Sequence, residues 1–263
     1  MRQLGLDTGG SSGGNKMHHS FLNTSNWIQI ASVIAQIFIA VIALFSVYIA
    51  YLVTKKFIGP KLNIEFNQNN RGLCHKTRNC LKEIGCKQDY YFRFYVENTG
   101  KSMAKHCEIV AEKLWHKDPQ EQSYHPYNQF APVNLNWTGG EKGIIDINPR
   151  RKVVGNIGHI PEEDYQNYLR KLDPYCLIDL IGKEKETKLR FILELVQIFY
   201  ALPNCLARGD YYIQIGLYSE NAKDKKLYLE ISWSGQWENE EKDMFQQIKI
   251  IRRETPPIED YSP

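Results

Sequence analysis

From Trp27 to Val53 the chain carries no charged side chain, and Ile, Leu, Val or Phe fills 15 of these 27 positions. A helix drawn through the stretch is apolar on most of its surface, and Gly59-Pro60 ends it. Beyond that point the pattern switches to alternation. Leu62, Ile64 and Phe66 share one face and Asn63, Glu65 and Asn67 the other, the period of two that marks a half-buried strand. Phe92, Phe94 and Val96 repeat the pattern over 90–97. Asn98-Thr99-Gly100 then supplies turn chemistry before an alternating run from Ala104 to Trp115, which predicts an antiparallel pair. Further strands are predicted over 130–137, 144–147, 151–157, 175–181, 189–199, 210–218, 226–233 and 244–251, with Asn221 to Asp224 closing a hairpin between 210–218 and 226–233. Residues 161–172, opening with proline and acidic residues, read as a short helix or an insertion. Apolar residues lie on both faces of 189–199, which leaves strand and helix both open there.

The expected organisation is a flexible leader over 1–26, a transmembrane helix over 27–56, a mainly β domain over 57–253 and a disordered tail over 254–263. Gly9 to Gly14 make the leader too poor in apolar residues to build a core. Short strands with turn signals between them and little helix predict a β-sandwich, since a parallel sheet needs helices between its strands. No repeat of solenoid or propeller spacing is present.

Lipid is the solvent that the apolar helix requires. At about −0.3 to −0.6 kcal/mol per apolar residue the segment gains roughly −6 kcal/mol on insertion. A rise of about 1.5 Å per residue makes it ~40 Å long, against ~30 Å of hydrocarbon. A cleaved signal peptide has an apolar core of only about 7–15 residues and a small-residue cleavage site, whereas this run ends at Thr54-Lys55-Lys56. Trp27 and Tyr51, with Lys55, Lys56 and Lys61, occupy the positions of interfacial anchors. Those three lysines outweigh Lys16 and the more distant Arg2, which predicts a cytoplasmic β domain. The six cysteines, at 74, 80, 86, 107, 176 and 205, are scattered and are expected to stay reduced there. With the topology inverted, Asn23-Thr24-Ser25 and Asn136-Trp137-Thr138 become glycosylation sequons.

All four polar residues of the membrane segment, Gln29, Ser32, Gln36 and Ser46, fall on one heptad seam that continues through Ala43 and Ala50. Small and polar side chains on one face permit close approach and hydrogen bonding between helices in lipid, so the seam predicts self-association. Uncharged polar residues are also tolerated singly in such helices, and that plainer explanation stays open.

Charge changes the picture only when divided along the chain. The net charge of +3 is accounted for before residue 57, after which 29 basic residues face 29 acidic ones. A domain without net positive charge lacks the footprint of a nucleic-acid binder. Its 16 Tyr, 11 Phe and 5 Trp favour sheet over helix bundle.

Tyr95-Val96-Glu97-Asn98-Thr99-Gly100-Lys101-Ser102-Met103-Ala104 resembles the V-x-N-x-G-x-x-x-A hairpin of bacterial and archaeal immunoglobulin-like modules of the adhesion-related type. Gly209-Asp210-Tyr211-Tyr212-Ile213, running on to Ser219-Glu220-Asn221, is similar to the G-x-Y-x-I late strand and turn of such modules. The resemblance covers about a fifth of the chain and implies an immunoglobulin-like β-sandwich on one membrane helix, as in single-pass prokaryotic proteins; it implies no activity. The insertion at 68–89 and the segment at 161–172 depart from that pattern.

Candidate chemistry is sparse. Cys74-His75, Cys80 and Cys86 carry zinc-ligand side chains, but no second tight pair follows, and His106 and Cys107 would have to complete the set. His116 and His125 flank Asp118 and Glu121 in a stretch that reads as solvated loop. Gly155-Asn156-Ile157-Gly158 is too short for a dinucleotide fingerprint, and no nucleophile elbow, H-E-x-x-H or P-loop occurs. Arg150-Arg151-Lys152 is a short basic patch suited to phosphates or anionic lipid heads. Trp233 and Trp237 read as core and rim aromatics.

The function expected is a non-enzymatic interaction or sensing module, with no cofactor, whose partners are the bilayer and a protein. A self-associating pore or effector subunit is the first alternative, and a metal-dependent enzyme the second.

Overall fold

A computed structural model describes residues 17–128, 130–139, 143–172, 189–196 and 204–257. It divides into two units, one ending at Phe57 and the other beginning at Ile58. The first holds a single helix, α1 (Met17–Phe57). Residues 17–26, expected in the leader, are therefore helical. They contain neither glycine nor proline, so nothing in them stops the helix from running back past Trp27.

The second unit is mainly β. Its elements in chain order are β1 (Leu62–Glu65), β2 (Cys74–Leu81), β3 (Gly85–Asn98), β4 (Ala104–Lys117), β5 (Tyr124–Pro126), β6 (Val133–Asn134), β7 (Ile145–Ile147), β8 (Lys152–Pro161), α2 (Glu163–Leu172), β9 (Phe191–Leu193), β10 (Cys205–Leu206), β11 (Gly209–Tyr218), β12 (Lys225–Trp233), α3 (Glu241–Gln247) and β13 (Ile248–Arg253). One antiparallel sheet runs β1-β3-β8-β9-β10, with β2 also on β3. The other runs β13-β12-β11-β4-β5, with β6 and β7 also on β4. Inward side chains of both sheets, among them Phe92, Phe94, Ile109, Ile213 and Leu229, make one core, which is the β-sandwich expected from the alternation. Leu62, Ile64 and Phe66 are buried on the predicted face of β1, as are Leu227, Leu229, Ile231 and Trp233 on β12.

The strands over 90–97 and 104–115 do not pair, contrary to the expected hairpin. β3 belongs to the first sheet and β4 to the second, so Asn98-Thr99-Gly100 carries the chain across the sandwich. The physical reason is the side chain of Asn98. Its Oδ1 accepts from the backbone N–H of Lys61 (3.2 Å) and Gly100 (3.0 Å), while Nδ2 donates to the carbonyls of Ser102 (2.8 Å) and Ile147 (2.9 Å). Two backbone N–H groups and two carbonyls, from three chain segments, find their partners on this one buried amide. Gly100 has no room for a side chain, since a Cβ there would lie 2.5 Å from both Gly59 O and Lys61 N.

Other differences have similarly local causes. The insertion at 68–89 is β2 folding back on an early extension of β3, in register from Cys74↔Phe92 to Leu81↔Gly85. The predicted strand over 130–137 splits. β6 pairs with β4, then Leu135 and Trp137 bridge to Leu195 and Gly155 of the opposite sheet, so this segment switches sheets. The predicted strand over 244–251 starts as α3, where acidic Glu241 and Asp243 favour the helix N-terminus and Met244 is buried. Segment 189–199 is strand over Phe191–Leu193. The predicted strand at 175–181, the end of 189–199 and the end of the tail lie outside the described residues.

The outer edges of β1 and β13 are bridged by side chains. Gln68 Nε2 donates to Ile248 O and its Oε1 accepts from Ile250 N, both at 2.7 Å, and Arg252 donates to Ile64 O at 2.9 Å. Gln68 thus stands in for a neighbouring strand and blunts an edge that would otherwise invite pairing. A groove of about 610 Å³ runs beside it, lined by Phe66, Phe245 and Ile251 among others.

Candidate functional site

Within α1 the span Asn26–Thr54 is 29 residues long, apolar, and uncovered by any described residue. At about 100° per residue, Gln29, Ser32, Gln36, Ala43, Ser46 and Ala50 all fall within about 100° of helix circumference, and all six are exposed. Ser46 is the exception in function, because its hydroxyl already donates to Ile42 O at 2.8 Å. The hydrogen-bonding capacity of the seam therefore lies with Gln29, Ser32 and Gln36, in the first half of the span. Trp27 and Tyr51 are 68% and 58% exposed near the two ends of the span. The side chains of Lys55 and Lys56 lie outside the described residues. Lys61 is exposed, and its backbone is held by Asn98 and by Thr99, whose N–H donates to Lys61 O at 2.8 Å.

The zinc-type residues do not converge. Cys80 and Cys86 are joined in a disulfide across the β2–β3 hairpin, which corrects the expectation that all six thiols stay reduced. Cys74 faces the core opposite Phe92, where burial pushes its thiol up to about 12, far from thiolate character. Its neighbour His75 points the other way, as adjacent strand residues must. Cys107 is buried, while His106 is exposed and lies 2.7 Å from Glu220. The Asn136 sequon is equally unavailable. Asn136 Nδ2 donates to Leu195 O at 3.0 Å and Trp137 is buried. His116 and His125 pair across β4 and β5 instead of lying in a loop. Trp233 is buried and Trp237 packs on Tyr90 at 5.0 Å, as core and rim.

One cluster went unread in the sequence. On the outer face of the first sheet, Asp89, Tyr91 and Arg93 of β3 meet His75 of β2, His159 of β8 and Glu194 after β9. His159 Nε2 is 3.9 Å from Asp89 Oδ2, and its Nδ1 is 2.7 Å from Glu194 Oε1 in an ionic contact off the line of a hydrogen bond. Its ring lies 5.2 Å from Tyr91, over which the Arg93 guanidinium sits at 4.7 Å. Arg93 also approaches His75 Nε2 at 3.5 Å. Burial lifts Asp89 to about 6. Burial opposes a charged His159, yet the two carboxylates raise its pKa overall, and His159 in turn holds Glu194 below the usual range despite burial. Asp89 Oδ1, Gln88 Oε1 and Arg93 Nε are buried without hydrogen-bond partners. Asp89 of β3 and His159 of β8 are 70 positions apart, and only the sheet register, Asp89↔Pro161 through Tyr91↔His159, brings them together. No spacing rule could have found them.

No protein-family model matches the chain, and no curated protein sequence does. Among solved structures, the archaeal flagellum of Methanospirillum hungatei strain JF1 aligns over 83% of this chain and 94% of that one, at 11% identity and a TM-score of 0.38. A likeness this loose carries no argument about fold or function.

Proposed function

We propose that the chain is a single-pass membrane protein that holds a non-catalytic β-sandwich at the cytoplasmic face of the bilayer, where the sandwich serves as an interaction or sensing module. The observation that carries this reading is the uncovered 29-residue apolar span joined to a unit with its own core. A helix apolar on most of its surface needs a large protein around it or lipid, and no described residue covers this one. The crossing at Asn98 supports the immunoglobulin-like resemblance, because it gives the Asn and Gly of the motif a structural task at the turn between the two sheets.

The lysine excess after the span supports a cytoplasmic head. The Cys80–Cys86 disulfide weighs on the other side, since cytosolic disulfides are rare. It joins two exposed residues over a six-residue separation. The sandwich core is built without it, so the head does not depend on its being closed. Intact cells treated with a membrane-impermeant thiol reagent after mild reduction should leave Cys80 and Cys86 unlabelled, while permeabilised cells label both. Labelling in intact cells places the head outside and overturns this orientation. Affinity purification of the full chain from crosslinked native membranes should recover a defined protein attached to the sandwich; recovery of lipid and free chain alone removes the interaction-module reading.

A further inference from the structure

We infer that the end of the sandwich at which the chain arrives from α1 is a docking surface for the anionic phospholipid headgroups of the bilayer. The inference rests on the membrane-anchored reading and adds a second contact with the membrane. Four chain segments build this end and are tied to each other. Thr99 N donates to Lys61 O (2.8 Å), Arg150 N donates to Asn98 O (2.6 Å), Lys105 N donates to Asn221 Oδ1 (2.9 Å), and Asn221 Nδ2 donates to Met103 O (3.0 Å). Lys61, Lys101, Lys105, Arg150, Arg151 and Lys223 project from these segments, all exposed and none in an ion pair among the described residues. The acidic residues on the same segments are Asp146, Glu220 and Asp224, and Glu220 is already engaged by His106. Lys152, which follows in sequence, is not free for lipid because Glu65 and Glu97 hold it.

The head is nevertheless neutral from residue 57 onward, so the basic residues of this end are balanced by acidic residues elsewhere in the head. At the opposite end Lys87 pairs with Glu162 and Asp164 and Arg71 with Glu241, and Tyr90 donates to the carbonyls of Glu238 and Asn239, so the carboxylates there already have cationic partners. Tyr90 and Asn98 lie eight residues apart on β3, a separation of ~27 Å at about 3.3 Å per residue. That exceeds the screening length of about 8–10 Å at physiological salt, so the two ends act on their surroundings as separate charges. Covalent connection selects which end meets lipid. At most about 7 Å of chain separates Phe57 from Gly59, and Gly59 is packed against Gly100 in the basic end. Lys55 and Lys56 precede it on the same side of the apolar span. Clustered lysine and arginine beside a membrane helix recognise anionic headgroups through charge.

The test uses the full chain in lipid nanodiscs of phosphatidylcholine alone or with about one-third phosphatidylglycerol, read by amide hydrogen exchange. Exchange at 99–105 and 148–151 should slow roughly tenfold in the anionic discs and return to the phosphatidylcholine rate at about 0.5 M salt. The triple substitution K101E/K105E/R151E should abolish the difference with an unchanged melting temperature. Equal exchange in both discs overturns the inference while leaving the anchor intact. A chain that enters neither disc overturns the anchor and the docking surface together. Protection that requires added protein, and not anionic lipid, assigns the surface to a protein partner and also overturns the inference.

Discussion

Asn98 shows how much one side chain can decide. Its four hydrogen bonds satisfy the backbone of three segments at once, and it is fully buried. Substitution Asn98→Ala strands two N–H and two C=O groups, and at about 1–3 kcal/mol for each unsatisfied buried group the loss should exceed roughly 3 kcal/mol. Asn63→Ala, on the exposed face of β1, should change stability by less than about 0.5 kcal/mol. Denaturant unfolding of the two variants in detergent checks the contrast, and comparable losses would refute the crossing as described. Gly158 is constrained in a different way. A Cβ there would meet Ile192 O at 2.4 Å, so this glycine has a packing reason in the close approach of β9. Asp89 and His159 yield a prediction in pH. Asp89 sits at about 6 against an ordinary 3.8, so the folded state resists its ionisation and loses stability as pH rises from near 4 through 6. His159, raised above 6.5, gives stability that is complete at low pH and lost as pH climbs through its folded value. Glu194, lowered below 4.5, acts oppositely but only in more acidic solution. The melting temperature should therefore fall as pH rises from near 4 through 6 and on above 6.5 as His159 loses its proton, and Asp89→Asn should flatten the lower part of the decline, with about 3 kcal/mol as the ceiling for the Asp89 contribution. A variant with the wild-type slope would show that the cluster does not couple to folding.

At the scale of elements, alternation told which strands exist but not which strands pair. The inward faces of β1, β3 and β12 are readable directly from Leu62, Phe92 and Leu227 and their neighbours at period two. Pairing depends on what the turn does with its backbone groups. A buried Asn98 that reaches four of them has the same local sequence as an Asn in a hairpin turn, so the crossing between sheets was invisible. The sheet switch at Leu135 to Trp137 was hidden for a related reason, since its side chains keep alternating while their hydrogen-bonding neighbours change. The Asp89–His159–Glu194 cluster was out of reach because register, and no motif, assembles it. The seam on α1 was legible, being a matter of helix periodicity alone. Structure adds that Ser46 is self-satisfied, which concentrates the expected contact at Gln29 and Gln36. Changing both to Leu should markedly weaken crosslinking between copies in membranes, whereas Ser46→Ala should have little effect. Crosslinking that persists in the double variant would remove self-association through this face.

For the molecule as a whole, the proposed anchoring divides the chain between two solvents. Roughly −6 kcal/mol of insertion free energy favours lipid for the span after Trp27, while the unit from Ile58 buries its apolar residues in a core of its own. The neutrality of that unit hides a cluster of exposed basic residues, Lys61, Lys101, Lys105, Arg150 and Arg151, visible only once the topology has sorted loops into ends. An interaction module held in the proposed way would gain a fixed location and a preferred orientation, both set by features outside its core. The most direct measurement is sedimentation of the full chain and of a chain lacking residues 27–53 after an alkaline carbonate wash of the membranes that contain them. The full chain should remain in the membrane pellet and leave only with detergent, and the shortened chain should appear in the supernatant as a folded β protein by circular dichroism. Release of the full chain by carbonate, or retention of the shortened one, would contradict the account.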